Sequence, residues 1–336
     1  MSTQNPGHLM AAESAEALEV FCKTSVLDVA PAVATLNMGA ASAIYTIARG
    51  SSDAAANVLS YEMMRELGVP VTSLPPSVFS IGPGVKLDNS AVLMISQSGA
   101  SDDLVRSAQG ASQKGARVLA ITNQPNSPVE AAADLTVPIG AGQELAVPAT
   151  KTVIGAIAAG ISLISALVPD YAQRALASVD ALKDVSAEHP NTKKLVSGLL
   201  RAHHVYVIGR DTGFGAAHEV ALKLKECCAL HAEAYSASEV LHGPLQLATN
   251  PLTVLILDTE LATAKESLDQ AEARFRATGS DVYRISPNDV GMSGLTSAAS
   301  AALLLALMYP IILKTALALG HDPDAPATLS KVTKTV

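Results

Sequence analysis

The run AIYTIARGSS at residues 43–52 has a counterpart 161 residues later, HVYVIGRDTG at 204–213. The same offset separates Ser98, in VLMISQSG, from Thr259, in TVLILDTE. Two strand-like runs that keep one spacing across half a chain indicate a unit used twice, and no other feature constrains the fold as much. Each run is continuously apolar and ends in a polar turn. Helical stretches such as DAAANVLSYEMMREL (53–67) and SDDLVRSAQGASQKG (101–115) lie between them. Apolar strands alternating with helices predict a parallel sheet covered on both faces. The expected fold class is therefore α/β, with two doubly wound parallel-sheet domains related by duplication. The division expected is 1–172 for the first domain with a leading helix, and 173–336 for a connecting helix, the second domain and a tail. The polar helical run 169–204 is the expected connector.

Composition excludes several classes. The 336 residues are 49% hydrophobic and 16% charged, with a formal net charge of −8 and 3% aromatics. No Lys/Arg-rich run is present, which argues against nucleic acid and against an anionic membrane surface as partners. Cys22 and the adjacent Cys227 and Cys228 form neither a disulfide framework nor a CxxC pair, which suits a reducing cytoplasm. The N-terminus has no basic region ahead of an apolar core, so it does not read as a signal peptide. The apolar runs 153–168 and 298–313 fall short of the ~20 residues that cross a bilayer, and Pro310 is expected to interrupt the second. Both read as buried helices of a soluble, cytoplasmic protein.

The turns ARGSS (48–52) and SQSGAS (96–101) follow strands and precede helices. Ligands of open α/β sheets bind beyond the carboxyl ends of the strands. A helix N-terminus there offers N–H donors and a positive dipole end, so a phosphate can sit without a cationic side chain. Gly50 and Gly99 would let the backbone approach closely. The competing reading is that Ser51, Ser52 and Ser101 are N-caps. No GxxxxGK[ST] loop and no GxGxxG fingerprint occurs, which favours a monophosphate over a nucleotide. The second copy has Leu257, Asp258, Thr259 and Ala262 where the first has Ser96, Gln97, Ser98 and Ser101. Asp258 would repel an anion, so only the first copy is expected to keep a pocket.

The run HEVALKLKECCALHAEAY (218–235) reads as a helix with Val220, Leu224, Cys227 and His231 along one stripe. Glu219, Lys223 and Glu226 form another. By spacing alone these three read as a solvated ion-pair ladder worth only ~0.2–0.5 kcal/mol a pair. His231 reads as a packed structural histidine, His242 before Gly243-Pro244 as a turn residue, and Lys331 as a solvated tail lysine.

Taken together, ARGSS, SQSGASDD, GQELAVPATKT (142–152), EVALKLKECCALHAEAYSASEVLHGP (219–244) and LSKVTKTV (329–336) resemble the sugar isomerase (SIS) family. More narrowly they resemble the isomerase half of glucosamine-6-phosphate synthase and its stand-alone relatives. The resemblance implies flavodoxin-like SIS domains. It implies that Ser52, Ser96, Gln97, Ser98 and Ser101, with Ser51 beside them, bind a sugar phosphate while Val147 lines the sugar site. It implies Glu226 as the base that moves a proton between C1 and C2, and His242 as the ring-opening residue, reaching into a neighbouring subunit's site in a homodimer. Lys331 then closes over the sugar and can form an imine with a keto-sugar. Lys223, one turn before Glu226, would balance enediolate charge. Ser101 stands where the family usually has threonine and keeps the hydroxyl. Ala149 stands where it has serine, which removes a polar contact.

The synthase carries a glutaminase domain, which this chain is expected to lack because the SIS pattern begins by about residue 40. The expected reaction is thus the conversion of glucosamine 6-phosphate to fructose 6-phosphate and ammonia, with no metal or organic cofactor. The alternatives are a fructosamine-6-phosphate deglycase, a galactosamine-6-phosphate deaminase/isomerase, and, in another class, a non-catalytic sugar-phosphate sensor.

Overall fold

The computed structural model describes residues 5–35 and 38–331. Its strands form two wholly parallel sheets. The first contains β1 (Ala43–Ile47), β2 (Val71–Ser73), β3 (Ser90–Ser96), β4 (Arg117–Thr122) and β5 (Leu135–Pro138), in the order β2-β1-β3-β4-β5. The second contains β6 (His204–Gly209), β7 (His231–Ser236), β8 (Thr253–Leu257) and β9 (Asp281–Ile285), in the order β7-β6-β8-β9. The second order is the first with its last strand missing, as a duplicated unit requires. Every residue of β3 and of β8 is buried. That is why these strands read as unbroken apolar runs rather than as alternating ones.

The duplication extends to backbone angles. Gly50 has φ 56° and ψ −130°, and Asp211, 161 positions on, has φ 57° and ψ −133°. Gly99 has φ 59° and its counterpart Glu260 has φ 60°. Both left-handed turns survive in the second copy although glycine has been replaced by residues that adopt such angles at a cost.

Contacts divide the chain into two units that interleave in sequence. One comprises the chain up to Leu18, Leu145–Thr150 and Asp184–Lys331; the other comprises Glu19–Glu144 and Lys151–Lys183. The expected connector is two helices, Pro169–Leu182 and Thr192–Arg201, one in each unit. In the β1–β5 unit the helix Lys151–Leu167 is buried over most of its length and packs on the Ser51–Leu67 helix.

Two local expectations need correction. The apolar run 298–313, expected to be interrupted at Pro310, belongs to a 22-residue helix, Ser297–Ala318, that passes through the proline. Among the described residues it is the one helix long and apolar enough to cross a membrane, and 78% of its apolar window is buried inside the protein. Proline removes one helical hydrogen bond, and packing against the Thr212–Cys228 helix on a nearly all-round apolar surface outweighs that loss. The helix expected to reach His231 ends at Cys228, because Ala229 turns left-handed with φ 51°. His231 instead opens β7. It is exposed, with its Nδ1 3.2 Å from Nδ1 of His204 on the adjacent strand, so it is not a packed core histidine.

Candidate active site

In the β1–β5 unit both serine turns lie at the carboxyl ends of strands, as expected. Gly50 occupies the N-cap of the Ser51–Leu67 helix, so half-buried Ser51 and Ser52 are its first two helical residues and not its caps. Ser101 does hold the N-cap position of the Asp102–Gln113 helix, yet its hydroxyl makes no capping hydrogen bond. The cap reading therefore fails for all three. Ser96 is buried, and its hydroxyl accepts the Gly99 N–H at 3.1 Å; the Ser98 hydroxyl accepts the Ala100 N–H at 3.3 Å. The turn is pinned by residues that follow β4. Asn123 N–H donates to the Gln97 carbonyl and Val129 N–H to the Gly99 carbonyl, at 3.2 and 2.9 Å. A Cβ on Gly99 would lie 2.2 Å from the Ser127 hydroxyl oxygen, so only glycine closes this turn.

Sequence reasoning missed Arg49. It precedes Gly50, and its half-exposed guanidinium pairs with the buried carboxylate of Asp103. The turn thus carries a cation beside its hydroxyls. The signal was present in ARGSS, but the partner lies 54 residues away.

The matching turn in the second copy is closed by its own side chains. Asp258 accepts two hydrogen bonds from Arg284, at 3.0 and 2.7 Å, and Arg284 also reaches Asp269 and Glu272. Gly213, at the place of Ser52, lies so near the Leu257 carbonyl that a Cβ would be 2.8 Å from it. Thr212, at the place of Ser51, hydrogen-bonds Ser297 at 2.5 Å.

In the β6–β9 unit the Thr212–Cys228 helix carries Glu219, Lys223 and Glu226. They are not a solvated ladder: Glu219 and Lys223 are each 0% exposed. The Lys223 ammonium lies 2.5 Å from Glu226 Oε2 and 3.4 Å from Glu219 Oε1, and the Tyr309 hydroxyl donates to Glu219 at 3.3 Å. Burial by itself would push the ammonium pKa down, but the two carboxylates outweigh it and hold Lys223 protonated well above the usual lysine range. The Glu226 side chain keeps 26% of its surface exposed. It lines a cavity of about 570 Å³ together with Cys227, Ala229 and the segment 320–329. A carboxylate oriented by a buried ammonium and facing an open cavity can accept a proton from a polarised C–H.

Val147 and Lys331 lie in the same unit. Val147 N–H donates to the Asp324 carbonyl at 3.3 Å, and the Lys331 ammonium donates to the neighbouring Ala146 carbonyl at 2.7 Å. Lys331 is thus tied to the GQELAVPATKT segment and is not a frayed tail residue. His242 lies exposed where two short 3₁₀ turns, Glu239–Leu241 and Gly243–Thr249, meet, and it does not line the cavity of Glu226. Among the described residues no cluster of three or more metal-ligating side chains occurs.

The SIS domain profile matches residues 39–166 and 198–306, covering both copies of the duplicated unit. The chain belongs to the SIS domain family. The glutamine–fructose-6-phosphate aminotransferases (isomerizing) of Pyrobaculum aerophilum and Sulfurisphaera tokodaii are 30% and 31% identical to it, over 87% and 71% of this chain. Those matches cover 51% and 41% of the relatives, so the chain spans about half the length of the curated proteins it resembles. A crystal structure of a Silicibacter pomeroyi protein classed as a phosphosugar isomerase superposes with a TM-score of 0.84 at 31% identity, covering 94% of this chain and 99% of that one. Glucosamine-6-phosphate deaminase of Thermotoga maritima shares the fold, with a TM-score of 0.75 at 19% identity over 97% of this chain and 100% of its own.

Proposed function

We propose that the protein is an amino-sugar-phosphate isomerase/deaminase that converts glucosamine 6-phosphate and water to fructose 6-phosphate and ammonia. The observation that carries this reading is the buried Lys223 ammonium 2.5 Å from a Glu226 carboxylate that opens onto a cavity. A phosphate cradle alone would suit a sensor; a carboxylate prepared for proton transfer suits an enzyme.

In this reading Ser51, Ser52, Ser96, Gln97, Ser98 and Ser101 take the sugar phosphate, and Val147 lines the sugar. His242 opens the pyranose ring, in a homodimer whose subunits share active sites. Glu226 removes the proton from C2 and returns it to C1, and Lys223 balances the negative charge that develops in between. The C2 imine that results is attacked by water and releases ammonia, leaving the ketose. Lys331 can take the place of ammonia at that imine. These steps consume only water, so they ask nothing of the half of the curated relatives that this chain does not match.

Release of ammonia from glucosamine 6-phosphate by purified protein tests the assignment. The Glu226→Gln protein should bind the sugar phosphate with unchanged affinity and turn it over at least about 10²-fold more slowly. Cleavage of a fructosamine or galactosamine phosphate instead would move the substrate to those sugars. Binding by the wild type without turnover of any amino sugar phosphate would make it a sensor.

A further inference from the structure

Helix α1 (His8–Ala15) holds two segments that sequence alone does not connect to it. Asp324, 8% exposed, accepts the Met10 N–H on Oδ1 at 2.8 Å and the Leu9 N–H on Oδ2 at 2.9 Å; the His8 ring lies 3.1 Å from the same carboxylate. Asp322 accepts the Gly7 N–H at 3.0 Å. The N-terminal amides of α1 are thus capped by side chains more than 300 residues away, where a carboxylate also meets the positive end of the helix dipole. From the other end of α1, Glu13, 5% exposed, accepts the N–H groups of both Leu145 and Ala146. The circuit closes through the backbone, since Val147 N–H donates to the Asp324 carbonyl and Lys331 donates to the Ala146 carbonyl. All of these residues belong to the β6–β9 unit.

We propose that Glu13 and Asp324 are positioning residues of the sugar site: through them α1 fixes the segment carrying Val147 and the tail carrying Lys331 at one separation. The assignment of a sugar to Val147 and Lys331 rests on the function proposed above. The mechanical part does not. Residues 145–147 form no strand or helix, so their amides gain no partners from regular structure. A buried carboxylate that satisfies two such amides sets their position more strictly than packing alone would. The tail from Gly320 onward likewise has no regular structure among its described residues, and it forms much of the wall of the Glu226 cavity.

Hydrogen exchange on the full chain, paired with calorimetric titration by fructose 6-phosphate, tests this. In the Glu13→Ala protein, exchange should accelerate about 10-fold or more at 145–147 and also across 322–331, which Glu13 does not touch. Affinity for fructose 6-phosphate should fall about 10-fold while strands β6–β9 keep their protection. Asp324→Ala should loosen the same two segments and Leu9 and Met10 as well. Asp324→Asn, whose amide oxygen still accepts one N–H, should recover part of both effects. Unchanged exchange across 322–331 in the Glu13→Ala protein would overturn the coupling, whatever the wild type binds. Looser segments with unaltered affinity would reduce α1 to a structural element. A wild type that binds no sugar phosphate, with the two segments still coupled, would overturn the substrate reading and leave the clamp in place.

Discussion

Lys223 shows how one residue's burial changes the meaning of a spacing. At the surface, Glu219, Lys223 and Glu226 would be a weak ion-pair ladder; buried, each group depends on the others for its charge. Removing one partner of a buried pair typically costs about 3–5 kcal/mol. Lys223→Met should therefore lower stability by roughly that amount, read as a fall in the urea midpoint, and should also abolish turnover. The raised folded-state pKa of Lys223 adds stability that is fully present below the ordinary lysine value, about 10.4, and is lost only as pH rises beyond it. The Lys223 ammonium therefore gives no pH dependence of stability near neutrality. Next to Glu226, burial pushes the Cys227 thiol up to about 12, so it remains protonated although it borders the cavity. Iodoacetamide at pH 7.5 should leave Cys227 unlabelled in the folded protein and label it once urea has unfolded the chain, as peptide mass spectrometry would read.

At the scale of the element, the two strand–turn–helix units keep one backbone with different residues. Gly50 and Asp211 share the same left-handed geometry, for which glycine carries no steric cost and aspartate does, roughly 1–3 kcal/mol. Asp211 recovers part of it by accepting the Thr212 N–H at 2.8 Å. Asp211→Gly should raise stability by about 1 kcal/mol in thermal or urea unfolding, and Gly50→Ala should lower it by a similar or larger amount. The matching turn of the second copy holds Arg284 among three carboxylates. Hydrogen bonds from Lys265 and Arg284 keep the Asp269 carboxyl below its usual range, and for Glu272 the arginines Arg276 and Arg284 outweigh a burial that acts the other way. Carboxylates depressed in the folded state stabilise it above their unfolded values and lose that contribution as pH falls through the folded ones. Arg284→Met should lower stability at pH 7, and the gap to wild type should narrow below about pH 4 as Asp269 and Glu272 take up protons. Urea midpoints at the two pH values measure both effects.

For the whole molecule, the proposed mechanism makes a quantitative demand on assembly. If His242 serves the site of a neighbouring subunit, Glu226→Gln and His242→Ala proteins, each inactive, should complement when unfolded together and refolded. Random pairing makes half the dimers mixed, and one of the two sites in each mixed dimer is intact. Activity should therefore recover to about a quarter of wild type. No recovery, with mixed dimers verified by mass, would place His242 within its own subunit's chemistry or outside it.

The amino-acid sequence determined the duplicated α/β plan, because buried parallel strands write themselves as unbroken apolar runs and a fixed offset survives substitution. It also singled out the serine turns and the ALKLKE block, because each is a short motif whose residues lie close together in the chain. It did not determine whether Glu219 and Lys223 meet water. An i, i+4, i+7 stripe is equally compatible with a solvated face and with one covered by the Ser297–Ala318 helix, and only the packing chose. Nor did it reveal the pairing of Arg49 with Asp103, the filling of the second turn by Arg284, or the clamp of Glu13 and Asp324. Those depend on side chains brought together across tens to hundreds of residues, and a hydrogen bond leaves no mark on the spacing of partners that the chain joins only by folding.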